Sequence, residues 1–395
     1  MKTEWKIVTL GDVCGFQNGF AFKSNLFRET GHPILRISNI QDEEVETRKV
    51  VYFRLEDYKE NLERYRVVNG DLLIAMSGGT TGKIGFNTTD QLFYLNQRVG
   101  KFEPKDCLSK QFLFYFLSTR VEENLRISAG SAQPNLSTEQ IKGFELPLPS
   151  LPEQQRIVAI LDEAFDGIAT AKANAEQNLQ NARALFESHL QAVFSQRGEG
   201  WKQKTLEEIA TTFGRGKSRH RPRNEPKLYG GKYPFIQTGD IRNSDHFITE
   251  YSQTYSEAGL AQSKLWPKGT ICITIAANIA ETGILDFDAC FPDSVIGVVA
   301  NPEEADVEYV EYLLQSFKVR IQAMGKGSAQ ANINMGTFEN ERFPFPKVSE
   351  QKQIVEKLNS LREETQRLES IYQQKLAALD ALKKSLLDQA FTGEL

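Results

Sequence analysis

The densest run of chemically capable side chains lies just beyond the middle of the 395-residue chain. Between residues 215 and 223, cationic residues alternate with Gly, Ser, His and Pro: Arg215, Lys217, Arg219, Arg221 and Arg223, with His220 among them. Alternation with Gly, Ser and Pro favours an extended arm over a helix. Guanidinium groups on such an arm can bind phosphates or hydrogen-bond base edges, guanine most often. The alternative is a solvated basic loop.

Further polar candidates follow runs that read as buried strands. In the first half of the chain they are Lys23, Arg36, Ser38, Asn39, Ser77, Thr80, Thr81, Lys83, Asn96, Gln97 and Arg98. In the second half they are Gln237, Thr238, Arg242 and Asn278. Loops beyond strand ends often carry recognition residues, so these positions are candidate DNA contacts. For each one, an ordinary turn residue is the alternative.

A six-residue motif occurs twice. Gly-Ser-Ala-Gln-Pro-Asn at 130–135 returns as Gly-Ser-Ala-Gln-Ala-Asn at 327–332. Its amides, those of Gln133 and Gln330 among them, could contact DNA or could cap a structural turn. The residues alone leave both open.

Catalytic constellations are missing from the sequence. The four histidines lack metal-ligand spacing, and the four scattered cysteines read as reduced packing residues. Segments 77–84 and 211–218 resemble a phosphate loop but lack its first Gly, and 77–84 also ends in Ile where Ser or Thr is required. No S-adenosylmethionine loop or amino-methyltransferase motif is present. We therefore predict a chain without catalytic activity, resident cofactor or metal.

The chain is one unit of roughly 200 residues written twice. The six-residue motif recurs 197 residues later. At the same shift, Leu-Pro-Leu-Pro at 146–149 corresponds to Phe-Pro-Phe-Pro at 343–346, and Glu-Gln-Gln-Arg-Ile-Val at 153–158 to Glu-Gln-Lys-Gln-Ile-Val at 350–355. Strand-like runs at 33–37 and 67–76 have counterparts at 234–238 and 265–275, and helical periodicity covers 109–126 and 305–323. These patterns predict two α+β domains with sheet-containing cores, at 1–150 and 199–347.

Each domain is followed by a long amphipathic segment, 151–198 and 348–395. Both carry apolar or small residues at alternating four- and three-residue steps in the same register. The predicted seam is Ile157, Leu161, Ile168 and Leu185 in the first, and Ile354, Leu358, Leu361, Leu368, Leu379, Leu382 and Leu386 in the second. We expect two helices of about 40 residues that pair as an antiparallel coiled coil. The alternative is that each helix packs on its own domain.

Composition places the protein among globular chains but says little about partners. The net charge of −5 gives no overall basic character, so any DNA-binding footprint must be local. No apolar stretch approaches the ~20 residues that span a bilayer, and the first residues lack a signal-peptide core. We expect a cytoplasmic protein.

The sequence as a whole resembles the specificity (S, HsdS) subunits of type I restriction–modification systems. The resemblance rests on the tandem domains, on the Pro-x-Pro-x-x-x-Glu-Gln-x-x-Ile start of each long helix, and on the ending at 386–395. It implies two target recognition domains that each read half of a bipartite, asymmetric DNA sequence. The helices would set the gap between the half-sites and dock two methyltransferase subunits, which carry S-adenosylmethionine. Separate motor-nuclease subunits would cut DNA.

Two other functions stay open at this point. One is an enzyme with an unrecognised active site, which S-adenosylmethionine binding by the chain alone would reveal. The other is a protein-interaction scaffold without a DNA role, in which the basic arm contacts acidic protein. Binding of DNA that falls steeply between ~50 and 200 mM salt would exclude the scaffold.

Overall fold

The computed structural model describes residues 5–41, 43–128, 135–196, 198, 200–219, 222–276, 279–325 and 335–395. The chain divides into two compact units. Unit 1 comprises Met1–Ala175 and Gln374–Leu395, and unit 2 comprises Glu176–Gln373. Each unit therefore contains a globular part and a stretch of each long helix.

Unit 1 is built from three sheets and the helices that cover them. Its elements are β1 (Lys6–Thr9), α1 (Leu10–Val13), β2 (Cys14–Asn18), β3 (His32–Leu35), β4 (Ile40–Gln41), β5 (Glu44–Val45), β6 (Val51–Phe53), β7 (Arg66–Val67), β8 (Leu72–Ala75), β9 (Ile84–Phe86), β10 (Phe93–Leu95), β11 (Val99–Pro104), α2 (Lys110–Ser128), α3 (Thr138–Lys142) and β12 (Glu145–Leu148). The sheet orders are β2-β11-β8-β9-β5-β4, β6-β3-β10-β7 and β1-β12. The long helix α4 (Leu151–Ser195) begins in this unit.

The alternation of side chains along β8 explains the layering of unit 1. Leu72 and Ile74 join a cluster with residues of α2 and the long helices. Leu73 and Ala75 point the other way and pack against the four-stranded sheet. Because successive strand residues face opposite sides, one fully apolar strand supports two cores, with sheet on one side and helices on the other.

Unit 2 contains β13 (Lys202–Lys204), β14 (Ala210–Arg215), β15 (Tyr229–Phe235), α5 (Thr238–Asn243), β16 (Phe247–Ile248), β17 (Gln253–Tyr255), α6 (Glu257–Ala261), β18 (Leu265–Trp266), β19 (Ile271–Thr274), β20 (Thr282–Leu285), β21 (Ala289–Cys290), β22 (Val295–Ala300), α7 (Val307–Gly325), α8 (Met335–Glu339), β23 (Phe343–Phe345) and α9 (Val348–Thr392). Its sheets are ordered β14-β22-β19-β20-β16, β17-β15-β21-β18 and β13-β23. This order repeats that of unit 1 strand for strand, apart from β4. The predicted duplication and α+β class are therefore confirmed, even where the sequences have diverged.

One glycine in each unit shows how tightly the repeated backbone is built. A Cβ on Gly19 would lie 2.0 Å from the Asn96 carbonyl oxygen, and one on Gly216 would lie 2.2 Å from that of Phe291. Both glycines follow the first strand of the large sheet, β2 or β14. The close approach of two backbones there excludes any side chain.

The helices α4 and α9 are each 45 residues long, about 68 Å. Within unit 1, Arg156 donates to the Leu395 carbonyl and Lys172 pairs with Asp380, both at 2.7 Å. Within unit 2, Arg183 pairs with Glu369 at 2.8 Å. Residue numbers rise along α4 as they fall along α9, so the two helices run antiparallel in each unit, as predicted.

The predicted seam is wrong at two equivalent positions. Ile157, Leu161 and Leu358 are fully buried, but the side chains of Leu185 and Leu382 are 50% and 47% exposed. Each lies four heptads beyond Ile157 or Ile354, where a straight helix has drifted by about 80° from a strict seven-residue repeat. One residue further restores the inward direction, and Phe186 and Lys383 occupy those positions.

Phe186 and Lys383 each take part in a contact between a cation and an aromatic ring. Lys383 supplies the cation in unit 1, and Phe186 supplies the ring in unit 2. In unit 1 the Lys383 ammonium lies 5.1 Å from the ring centre of Phe165. In unit 2 the Arg362 guanidinium lies 5.5 Å from that of Phe186. The repeat relates Phe165 to Arg362 and Phe186 to Lys383, so the duplicated contact kept its chemistry after its residues were swapped.

A glutamine in the first turn of each long helix ties it to its globular part. The Gln154 amide accepts from Ser109 N at 2.8 Å and donates to the Cys107 and Pro149 carbonyls at 2.9 Å. Gln351 repeats this with Asp306 N, Glu304 and Pro346. Both glutamines are fully buried, which gives the repeated Glu-Gln pair of the sequence a structural role.

A tyrosine from the preceding helix makes a second repeated tie. The Tyr115 hydroxyl of α2 donates to Asp162 of α4, and the Tyr312 hydroxyl of α7 donates to Asn359 of α9 at 2.5 Å. Burial raises the pKa of both phenols. The two phenols therefore stay protonated and act as hydrogen-bond donors at neutral pH.

The cysteines are all free, as expected for reduced residues. Cys14, Cys272 and Cys290 are buried, and burial raises the pKa of the Cys14 thiol to about 12. Cys107 is exposed, so the expectation that every cysteine packs in a core is wrong for this one.

Candidate nucleic-acid interface

In unit 1 the segments that follow β2, β3 and β10 meet at one end of the sheets. β3 and β10 run parallel, with Leu35 opposite Leu95, so both strands end at the same edge. Asn96 N donates to the Leu35 carbonyl at 3.0 Å, and Phe20 N donates to the Leu95 carbonyl at 2.8 Å. Gly19, just before Phe20, allows the two backbones to come this close because it has no side chain.

The loop after β8 joins the same end. Met76 N donates to the Arg98 carbonyl at 2.9 Å. The Lys83 ammonium donates to the Gln41 side chain at 2.7 Å. We call segments 19–27, 36–41, 76–83 and 96–98 the loop end of unit 1. Separate stretches of the predicted polar positions are thus brought together by the sheets.

The predicted residues differ in what they can do at this loop end. Lys23, Ser38, Gln97 and Arg98 are exposed, and their side chains have no partner among the described residues. Arg36 donates from its terminal nitrogen to the Lys49 carbonyl at 3.2 Å, and its Nε is buried without a partner. The hydroxyls of Ser77 and Thr80 are also buried without a partner in the described part of the chain.

Two predicted DNA contacts of unit 1 have structural roles instead. The buried Asn39 amide accepts from Arg36 N at 3.1 Å and donates to the Glu46 carbonyl at 3.1 Å. Thr81 is fully buried, and its hydroxyl donates to the Gly78 carbonyl at 2.7 Å. Both hold the backbone of their loops in place, because their polar groups form hydrogen bonds with nearby backbone atoms.

Unit 2 forms an equivalent loop end from segments 216–219, 236–240, 275–276 and 291–294. Ile236 N donates to the Cys290 carbonyl at 2.8 Å, Gly216 N to that of Val295 at 2.9 Å, and Ile275 N to that of Ser294 at 3.0 Å. Gln237 and Thr238 are half-buried here, and Arg242 is exposed. The backbone frame is shared with unit 1, but the side chains it presents are different.

The basic arm of unit 2 contains two kinds of cation. Arg215 Nε donates to the Asp293 carbonyl at 2.7 Å, and Arg223 donates to both Asp293 carboxylate oxygens at 2.7 and 2.9 Å. Lys217 and Arg219 are exposed and have no side-chain partner among the described residues. The prediction that all five cations of the arm contact DNA is therefore corrected for Arg215 and Arg223, which fasten the arm to the 291–294 turn.

Five predicted contacts lie outside the described residues: Gln133, His220, Arg221, Asn278 and Gln330. Asp293, Arg64 and Lys264 were not predicted from the sequence pattern. Arg64 and Lys264 precede β7 and β18, which run antiparallel to β10 and β21 and so begin at the loop ends. A basic residue just before a short strand was the available signal.

Two clefts of unit 2 lie along its helices α4, α7 and α9. One, of about 700 Å³, opens between residues 240–252 and α9 and is lined by Asp245, Glu250, Glu308 and Glu363, among others. Its acidic lining disfavours nucleic acid. The described residues contain no cluster of His, Cys, Asp and Glu that could hold a metal ion, and none of their helices combines the length and apolar composition needed to cross a membrane.

Comparison with known proteins decides what this architecture is. The family model of the type I restriction modification DNA specificity domain matches twice, at residues 2–181 and 198–377. The chain belongs to this family. The two matches begin close to the two copies of the internal repeat, so the resemblance seen in the sequence is confirmed.

Two relatives align with nearly the whole chain. The putative type I restriction enzyme MjaX specificity subunit of Methanocaldococcus jannaschii is 24% identical, over 99% of this chain and 94% of its own length. The EcoBI specificity subunit of Escherichia coli is 25% identical, over 99% and 86%. As a family member, the chain is a recognition subunit and not a catalytic one.

Solved structures share the fold. A chain from a study of complex assembly in a type I restriction–modification system aligns with a TM-score of 0.80 at 19% identity, covering 99% of this chain and 98% of that one. The HsdS subunit of Thermoanaerobacter tengcongensis aligns with a TM-score of 0.64 at 18% identity, covering 99% and 97%.

Proposed function

We propose that each unit reads one half of a bipartite DNA target through its loop end, and that the two half-sites differ. The observation that carries the proposal is one repeated backbone frame that presents two different sets of free polar and cationic side chains. Unit 1 offers Lys23, Gln97 and Arg98, whereas unit 2 offers Lys217 and Arg219. Loops held by a rigid sheet are where recognition residues are expected.

The proposed partners are two copies of a methyltransferase subunit. Exposed Leu185 and Leu382 are equivalent in the repeat, and each unit carries one of them. Two exposed leucines at equivalent positions of the repeat support two equivalent docking sites, one for each methyltransferase subunit. S-adenosylmethionine and the methyl transfer would belong to these partners, and motor-nuclease subunits would join the assembly to cut DNA.

Substituting one free arginine in each loop end tests the assignment. In the complex with the methyltransferase, Arg98→Gln should weaken or relax recognition of one half-site only, and Arg219→Gln that of the other only. Loss of one base or phosphate contact corresponds to about 1–3 kcal/mol, roughly 5- to 150-fold. Sequencing of methylated sites from cells with each variant gives the result.

Each arginine variant is the control for the other. An effect of Arg219→Gln on both half-sites would contradict the assignment of one half-site to each unit. A wild-type complex that does not bind DNA would favour the protein-interaction scaffold.

The Arg223–Asp293 pair should matter for recognition more than for stability. Its side chains are 50% and 39% exposed, so the pair contributes at most about 1 kcal/mol to folding. The two charge-assisted bonds from Arg223 Nη2 to the carboxylate nevertheless fix the arm that presents Lys217 and Arg219. We expect Asp293→Asn to lower affinity for the second half-site about tenfold while the melting temperature changes by no more than ~4 °C.

Asp286→Asn is the matched control. It breaks the exposed Lys268–Asp286 pair of the same unit, which lies at the opposite end of β19 and β20. Equal losses of DNA affinity in the two variants would show that the arm's position is not what Asp293 controls.

A further inference from the structure

Two lysines of unit 2, Lys217 of the basic arm and Lys264, lie close to the same loop end. Lys264 directly precedes β18, which is antiparallel to β21 with Leu265 opposite Cys290. The Ser263 hydroxyl donates to the Lys217 carbonyl at 2.8 Å. This bond fastens the basic arm to the start of β18, so the arm and Lys264 belong to one surface.

The Lys264 ammonium is held in place by an aromatic ring. It lies 3.6 Å from the ring centre of Trp266, a side chain that is fully buried. The same indole stacks on Phe291 of the 291–294 turn, with ring centres 5.0 Å apart. A cation over an indole face is attracted by the ring's electron density, so the position of this charge is fixed before any ligand arrives.

The two lysines lack a counter-charge in the described part of the chain. Partial burial lowers the pKa of Lys264, and so does the positive charge of Lys217. Neither ammonium forms an ion pair with a carboxylate of the described residues, whereas Lys232, Lys268 and Lys318 of the same unit each pair with an acidic side chain. Two neighbouring cations repel each other unless an anion lies between them.

We propose that Lys217 and Lys264 form a binding site for a phosphodiester group of the DNA backbone. The inference rests on the proposed function, since it places duplex DNA at the loop end. Lysine ammonium groups act as point charges on phosphate and carry no base preference. Unit 1 has a similar cation over an aromatic ring: the Arg64 guanidinium, just before β7, lies 4.7 Å from the ring centre of Tyr65.

The test is the salt dependence of DNA binding by the complex with the methyltransferase. Lys264→Met and Lys217→Met should each reduce the slope of log affinity against log salt by about 0.9. Each should weaken cognate DNA and DNA with altered half-site bases by the same factor, because phosphate contacts are independent of sequence. Lys264→Arg should keep the wild-type slope.

Two controls separate the possible failures. Lys268→Met removes a lysine of the same unit at the far end of the sheet and should leave the slope unchanged. A second control replaces the DNA phosphates one at a time by neutral methylphosphonates. At one backbone position the replacement should lower the affinity of the wild-type complex but should not lower that of Lys264→Met any further. Lys217→Met, an exposed residue, keeps the test informative if Lys264→Met unfolds.

Specific binding by the wild type with unchanged slopes in both Met variants would overturn the phosphate site and leave the proposed function standing. Loss of methyltransferase assembly in these variants would overturn it too, in favour of a carboxylate on the partner. A wild type without specific DNA binding would instead refute the proposed function.

Discussion

Inserting seven residues into each long helix, after Ala175 in α4 and after Gln373 in α9, should lengthen the gap of the recognised sequence by about three base pairs and leave both half-sites unchanged. Seven residues are two turns of a coiled coil, so the seam continues across the insertion. They add about 10.5 Å of helix, and B-DNA rises about 3.4 Å per base pair. Methylome sequencing reads the gap and the half-sites together.

The insertion points follow from packing. Insertion between 180 and 195 would displace Phe186, Leu190 and Phe194, which pack against the core of unit 2. Ala175 and Gln373 are the last residues before the border between the units on each helix. At that border neither core is cut.

The same insertion in α4 alone is the control. Its added residues have no counterpart in α9, so we expect lower stability without a longer gap. An unchanged gap in the paired variant would show that the helices do not set the spacing. An altered half-site would contradict the separation of reading from spacing.

Replacing either buried glutamine by leucine should unfold its own unit first. Gln154→Leu keeps the size of the side chain but leaves Ser109 N and the Cys107 and Pro149 carbonyls without their partner. Each unsatisfied buried group costs about 1–3 kcal/mol, so a loss of about 3–5 kcal/mol is expected. For a unit of this size that lowers the melting temperature by roughly 10 °C.

Hydrogen exchange resolves the two units in this experiment. Gln154→Leu should raise exchange in α2 and β12 of unit 1, and Gln351→Leu in α7 and β23 of unit 2. The exposed neighbours supply matched controls, since Gln155→Leu and Gln353→Leu make the same change without breaking a buried bond. Equal destabilisation by a control and its buried counterpart would mean that the amide bonds contribute nothing.

Much of the fold could be predicted from residues close together in sequence. The helical periods at 109–126 and 305–323 correspond to α2 (Lys110–Ser128) and α7 (Val307–Gly325). The prolines and Glu-Gln pairs mark the starts of α4 and α9. The heptad rule succeeded near Ile157 and Leu358 but failed at Leu185 and Leu382, because its small angular error accumulates with distance along a straight helix.

The candidate interface was predictable in outline only. Polar residues after strands pointed to the loop ends, since strand ends can be placed from local patterns. Whether a given side chain is free depends on residues far away in sequence. Asn39 and Arg98 look alike as loop residues, yet one is buried by its own loop and the other is exposed.

The basic arm illustrates what the sequence pattern can predict and what depends on the folded structure. Local patterns were enough to predict a duplicated α+β unit with paired helices, without catalytic motifs and with a run of cations at 215–223. Which of those cations are available to DNA depends on contacts made in the folded chain. Asp293, 70 residues beyond Arg223, neutralises that arginine, while Lys264 and Lys217 form no ion pair with an acid in the part of the chain that the structure describes. Electrostatic interactions act through space, so the composition of a segment cannot show which of its charges are already paired.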